Sequence, residues 1–258
     1  HFKIDYSGIL RWQGRQQRGQ IHCKDGKFYF YQAVEVKEPR KVKSKIAAGI
    51  DIGIKKLIAI TTSKGTDKLI GSKRHFKQWK HYTSLIAGEQ EQLAKINRKS
   101  SKHLRKLFSM RHKWQNNLYD NIVASTFRFL NRNKVSYLFV GDVKGIRENA
   151  DWGNKGNKML HNYWAYDTLY RKLANKSEEY GITMIKDTEE YSSQTCPVCG
   201  MTDENNKKDR LFLCSFCGSF DHRALVGSKN IMVKGMHSLQ SVHQGETALL
   251  CGGRNAIA

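Results

Sequence analysis

Residues 195–231 read "TCPVCGMTDENNKKDRLFLCSFCGSFDHRALVGSKNI", and how they are read decides the fold. Cys196 and Cys199 form one C-x-x-C pair, and Cys214 and Cys217 form another fourteen residues on. Each pair can close a tight knuckle, and four thiolates make a closed tetrahedral structural zinc site. Gly200 and Gly218 follow the second Cys of each knuckle, where a residue without a Cβ eases the turn. Two disulfides or two redox dithiols are the competing readings. Cys23 and Cys251 stand apart from the four, and this usage suits Zn²⁺ in a reducing cytosol better than a disulfide framework. A closed four-thiolate shell leaves no open position for chemistry. So short an insert folds only with its metal. The remaining question is whether the module stands alone or is inserted into a larger catalytic domain.

Outside the module, the chain has material for that larger domain. With 258 residues, 39% of them hydrophobic, it can bury a core as one large domain or two small ones. There is no apolar run of about 18 residues, so no membrane span is expected. The opening "HFKIDYSGIL" lacks the basic-then-apolar pattern of a secretory leader and has no initiating Met; it reads as starting inside a strand of a truncated frame. Lys and Arg number 45 against 23 Asp and Glu, a net charge of +22. So large an excess opposes compaction unless a polyanion is the partner, and salt-dependent phosphate binding follows. It is clustered: residues 95–113, "KINRKSSKHLRKLFSMRHK", hold eight Lys or Arg and no acid. A solvated helix face ordinarily mixes signs, so Arg98, Lys99, Lys102, Arg105 and Lys106 are candidate phosphate contacts.

Patterning supplies the rest of the frame. Residues 1–36 alternate around Asp25-Gly26, a hairpin signal, and "KEPRKVKSK" reads as a basic linker. "IAAGIDIGIKKLIAITTSKG" gives a buried strand, a turn and a second strand. Two long helices are expected over 75–133. Phe76, Trp79, Thr83, Ile86, Leu93 and Ile96 share a face of the first, and Leu107, Trp114, Leu118, Ile122, Ser125 and Phe129 a face of the second. "VSYLFVGDVKGI" (135–146) is a core strand, a helix is expected over about 161–180 with Gly181 as its cap, and "GITMIKDTEEYSSQ" is a further strand. Alternating strands and helices argue for an α/β sheet covered by helices.

Asp51 lies between apolar residues on the first of these strands, where a carboxylate is costly unless a cation meets it. A nearby Lys or a divalent ion would serve. The Asp51 strand, the "LFVGDVKG" strand, "YSSQTCPVCG" and "HRALVGSKNI", in this order, resemble the C-terminal half of transposon-encoded TnpB (OrfB) proteins, relatives of type V CRISPR effectors. The resemblance implies an RNase H-like (RuvC) mixed sheet with flanking helices and an inserted four-cysteine zinc ribbon. It also implies a small N-terminal β segment from a wedge barrel, and a guide RNA and target DNA as partners, with cleavage by Mg²⁺. The expected division is 1–44 for the end of the guide-binding barrel, 45–190 for the first part of the nuclease domain, 191–219 for the ribbon, 220–236 for the last helix and 237–258 for a flexible tail. A prokaryotic, cytoplasmic and nucleoid-associated setting goes with it.

RuvC-type hydrolysis needs about three carboxylates converging on two metals. By the resemblance, the first is Asp51. The family's usual second acid falls at Gly141, followed by Asp142; a subfamily with "VGDV" implies Glu189 instead, with Glu190 or Asp187 as alternatives. The third falls at Ala224, although its neighbours His222, Arg223, Gly227 and Asn230 are kept. A methyl holds no cation, so Mg²⁺ should be weakly held or absent. An acid removed deliberately and an acid lost naturally would read alike. Arg223 and Lys229 are candidate phosphate contacts, His222 a hydrogen-bonding neighbour, Trp164 a core residue, and Trp152 and Tyr191 possible stacking residues. The expectation is a TnpB-type nuclease disabled at one ligand, with a naturally non-cleaving guided repressor as the alternative. A free-standing zinc-ribbon binder would leave Asp51 unexplained.

Overall fold

The protein is described from a computed structural model over residues 13–24, 26–142, 153–157, 163–188, 192–208 and 210–251, with isolated positions at 5, 7, 8 and 159. It divides into two compact units, His1–Arg40 and Lys41–Ala258. The first holds an antiparallel hairpin of β1 (Arg15–Lys24) and β2 (Lys27–Glu35), in which Lys24 faces Lys27 and Gly26 takes φ +71° at the turn. Its alternation does not bury a face: Phe28 is 77% exposed and Tyr31 57%.

The second unit is built on a five-stranded sheet. Its strands are β3 (Ala47–Asp51), β4 (Ile58–Thr62), β5 (Asp67–Ile70), β6 (Tyr137–Asp142) and β7 (Thr183–Thr188), in the order β5-β4-β3-β6-β7. β5, β4 and β3 are antiparallel neighbours, whereas β3, β6 and β7 run parallel. Every residue of β4 and the first four of β3 are buried, as befits strands covered on both faces. Val42 N–H donates to the Gly181 carbonyl and Ser136 Oγ to the Ser44 carbonyl. These bonds place the segment just after Arg40 with the second unit, a few residues ahead of the expected boundary at 44.

One face of the sheet is covered by α1 (Lys73–Lys95), α2 (Lys102–Arg132) and α4 (Tyr166–Tyr180). A short α3 (Gly153–Asn157) precedes α4. Ile50, Ile60, Leu138 and Val140 pack there against Trp79, Ile122, Phe127, Leu130, Leu169 and Leu173. In α2 the deepest stripe is Tyr119, Ile122, Val123, Phe127 and Leu130, with Trp114, Leu118 and Phe129 packed beside it. The expected face is therefore rotated, with Trp114, Leu118 and Phe129 at the margin of the buried stripe. α4 starts five residues later than expected, because Tyr163 and Trp164 are core residues and Ala165 N–H donates to Tyr119 Oη just before the first turn. Gly181 caps α4 at φ +64°, as its position predicted.

The other face is covered by α5 (Arg223–Cys251), where Ile231 and Met232 pack on Ala47 and Phe139. α5 continues past the expected end near 236. Met236 and Leu239 extend the same apolar stripe onto this core, so helical spacing persists where the sequence was expected to lose it. Between β7 and α5 lies the cysteine module, a three-stranded antiparallel sheet of β8 (Lys207–Lys208), β9 (Leu211–Leu213) and β10 (Phe220–His222). Among the described residues, no helix is long and apolar enough to cross a membrane.

Candidate nucleic-acid and metal sites

Strand alternation sorts the candidate residues by face. Ala47 and Phe139 pack on α5, so Gly49, Asp51 and Gly141 share that face, while Ile50 and Val140 point the other way. Asp51 ends the central strand, and α5 crosses directly over it. A methyl added at Gly227 would sit 2.8 Å from Asp51 Oδ2, and one added at Gly49 would sit 2.1 Å from the Ser228 carbonyl oxygen. Two glycines at the crossing thus let helix backbone and carboxylate meet. A buried hydrogen bond between Thr61 Oγ1 and Ser228 Oγ, 2.7 Å long, pins the same turn to β4.

The start of α5 is held from the module side as well. Asn230 Nδ2 donates to the Ser192 and Thr195 carbonyls at 2.6 and 2.8 Å, and Arg223 N–H donates to the Arg210 carbonyl. Lys229 is paired with Asp221 at 2.6 Å and Asp67 at 3.5 Å. Burial opposes its charge, but the two carboxylates hold its ammonium above the usual value. His222 Nδ1 lies 3.3 Å from the Ala224 N–H, the neighbourly role expected of it.

Asp51 and Ala224 line one pocket of about 700 Å³. Ile52 to Lys56, Ser72 to Arg74, Trp164, Ser192, Ser193, Arg210, His222 and Arg223 complete its described lining. Burial pushes the Asp51 carboxyl up to about 6, against the pull of the Arg223 guanidinium. Trp164 is buried, consistent with core packing. Glu189, Glu190, Trp152 and Tyr191 lie outside the described residues. Asp187 stands opposite Gly141 on β7 and so shares the α5 face, whereas Asp142 pairs with Lys186 at 2.9 Å on the α4 side, where Lys186 also covers the Tyr170 ring. Among the described residues the lining offers a single carboxylate, Asp51, whereas a two-metal site takes about three.

The four cysteines do fit a metal. Their sulfur atoms all lie within 4.8 Å of one another, with Cys196–Cys217 and Cys199–Cys214 at 3.6 Å. A tetrahedral zinc with bonds of about 2.3 Å needs sulfurs about 3.8 Å apart. Val198 N–H points to Cys196 Sγ and Cys217 N–H to Cys214 Sγ; the latter bond leads in pulling the Cys214 thiol down to about 6. Gly200 and Gly218 take φ +75° and +72°, the conformation for which each knuckle needs glycine. Asn206, fully buried, links the knuckles by donating to the Gln194 carbonyl and accepting from Ser215 N–H.

Arg98, Lys99, Lys102, Arg105 and Lys106 are all exposed around the α1–α2 turn. Ser101 caps α2 by accepting from Leu104 N–H and ties the turn to Glu89 at 2.7 Å. Sequence reasoning missed Lys55, Lys56, Lys73, Arg74 and Arg210 as pocket residues, because they come from three separate segments with no shared motif.

The fold is similar to that of solved Cas12f effectors. A solved Cas12f1–sgRNA–target DNA complex superposes with a TM-score of 0.56 at 17% identity, covering 82% of this chain and 55% of that one. A CRISPR-Cas12f ternary complex gives 0.57 at 20% identity, covering 84% and 44%. Residues 31–147 match the OrfB_IS605 family model, described as "Probable transposase", and residues 166–231 match the Cas12f1-like TNB domain. The TnpB-like protein ORF457 of Acidianus two-tailed virus is 23% identical over 91% of this chain and 56% of its own length. The CRISPR-associated endodeoxyribonuclease Cas12f1 of Syntrophomonas palmitatica is 30% identical over 37% of this chain and 18% of its own length. The chain is thus a homologue of the TnpB (OrfB) and Cas12f1 proteins, and it spans little more than half of one of these curated relatives and a fifth of the other.

Proposed function

We propose that the chain is part of an RNA-guided DNA endonuclease of TnpB type in which the hydrolytic pocket is disabled at Ala224. The observation that carries this reading is the meeting of Asp51 and Ala224 in one pocket, although 173 positions part them in the sequence. The strand order, with the acid at the end of the central strand and α5 laid across it, supports a RuvC-type domain. Glu189 is the proposed second acid, since Gly141 has no side chain to offer. The four cysteines would hold a structural Zn²⁺, the exposed lysines and arginines of the α1–α2 turn would contact phosphate, and the β1–β2 hairpin would belong to the guide-binding barrel. A nucleoid-associated place in a prokaryotic cytoplasm goes with these partners.

The test is cleavage of a labelled target by the guide-loaded protein in Mg²⁺. The chain as it stands should show none. Ala224→Asp should raise cleavage on the order of 10²–10³-fold, the scale on which one preorganised charged group acts. Robust cutting with Ala224 in place would overturn the assignment of the third ligand. If Ala224→Asp stays inert while guided binding persists, the second reading gains: a naturally non-cleaving, RNA-guided DNA-binding repressor. The absence of an acid at both Gly141 and Ala224 is the observation that favours it.

A further inference from the structure

The start of α5 alternates between two hosts, residue by residue. Val226 is buried against Cys196, Phe212 and Cys214 of the cysteine module. Ser228 turns to the sheet and meets Thr61 of β4. Lys229 joins Asp221 of β10 to Asp67 of β5, and Asn230 donates to the Ser192 and Thr195 carbonyls on the way into Cys196. Ile231 and Met232 return to the sheet, on Ala47 and Phe139. Ahead of Ile231, the sheet is met by Gly227 and Ser228, which carry no apolar side chain. The grip there is the close backbone approach at Gly49 and Gly227 and the Thr61–Ser228 hydroxyl pair, in which Ser228 Oγ donates onward to the Leu225 carbonyl at 2.9 Å. Over the same turns the module adds a buried apolar contact, an ion pair and two amide hydrogen bonds. All of these depend on a folded module, and so short a fold depends on its metal.

We propose that metal loading of the four cysteines controls the seat of α5 on the sheet. With Zn²⁺ held, residues 226–230 are clamped across Asp51 and β4; without it they come away, while the helix stays anchored from Ile231 onward. Val226, Lys229 and Asn230 carry the coupling. Losing the module removes the partners of Val226 and both carbonyls that Asn230 meets, and it parts Lys229 from Asp221. A helix end stripped of such contacts opens locally at far less cost than global unfolding. Linkage makes the effect mutual: a bond that the seated helix gains only in the loaded state tightens the metal by the same factor. The inference needs only Zn²⁺ uptake by the cysteines, and it holds whether or not the chain cleaves DNA.

The experiment measures the Zn²⁺ affinity of the whole chain by competition with a chromophoric chelator, for the unaltered protein, Thr61→Val and Thr62→Val. The Thr61 hydroxyl bonds to α5, and Thr61→Val removes that bond from the seated state alone. Zn²⁺ affinity should therefore fall about fivefold, the worth of one typical buried hydrogen bond. Thr62, next on the same strand, bonds instead to Thr66, so Thr62→Val should leave the affinity within about twofold. Unchanged affinity in Thr61→Val would overturn the proposal, because α5 would then be seated with and without metal. An equal loss in both variants would overturn it too, as a mark of general destabilisation. Hydrogen exchange gives an independent reading. In a strong chelator the Ser228 and Lys229 amides should exchange about tenfold faster or more, while Ile60 and Phe139 keep their protection. Protection at Ser228 that survives chelation would contradict the coupling. Neither measurement reads cleavage, so failure of the guided-cleavage test and failure of this one are separate results.

Discussion

Chelating the metal from the cysteine module should unfold residues 196–217 while the five-stranded sheet stays folded. The module has almost no apolar core of its own: Phe212 packs with Cys196, Cys214 and Val226, and its strands are two or three residues long. Such an assembly cannot offset the entropy of ordering its loops, about 1–2 kcal/mol per residue for the backbone alone. Structural zinc contributes on the order of 10–16 kcal/mol in comparable small modules. Hydrogen exchange reads the outcome by segment. The Phe212 and Cys214 amides, protected with metal, should exchange freely in a strong chelator and in Cys214→Ser, whereas Ile60 and Phe139 should keep their protection. Protection at Phe212 that survives chelation would mean that the module folds without metal.

The second large effect separates two glycines that look alike in sequence. Gly49→Ala should destabilise the second unit by about 3 kcal/mol, because its methyl would sit 2.1 Å from the Ser228 carbonyl oxygen and 2.8 Å from Met232. Neither neighbour can give way cheaply: one is backbone, and Met232 is packed on Phe139 and Ile231. Gly88→Ala should instead stabilise by about 0.5–1 kcal/mol. Gly88 is in the middle of α1 with nothing within 4 Å, so alanine only removes freedom from the unfolded chain. Urea unfolding of the two variants checks both signs. Equal effects would mean that α5 does not press on β3 as described.

Much of this architecture could be read from residue order, for physical reasons that differ by element. The cysteine pairs were legible because tetrahedral coordination dictates their spacing and the glycines after them. β3 and β6 were legible because strands buried on both faces must be continuously apolar, which also made Asp51 stand out. The α5 crossing was only half legible. Gly227 and Asn230 belonged to a recognisable pattern, but that one spares the Asp51 carboxylate and the other clamps the module's entry depends on distant partners. The pocket's lysines and arginines were not legible as a group. Lys55 and Lys56 follow β3, Lys73 and Arg74 open α1, and Arg210 sits in the module; only folding gathers them. The pairing of Lys229 with Asp67 and Asp221 was not legible either, since Asp67 reaches it only through the fold.

The direct test of the central claim is a count of divalent ions held at Asp51. Mn²⁺ can stand in for Mg²⁺, and its electron paramagnetic resonance signal reports free against bound ion. The account predicts that the unaltered chain, with its cysteine module loaded with zinc, holds no Mn²⁺ that Asp51→Asn removes, and that Ala224→Asp creates such a site. Tight binding of two Mn²⁺ by the unaltered chain, lost on Asp51→Asn, would contradict it.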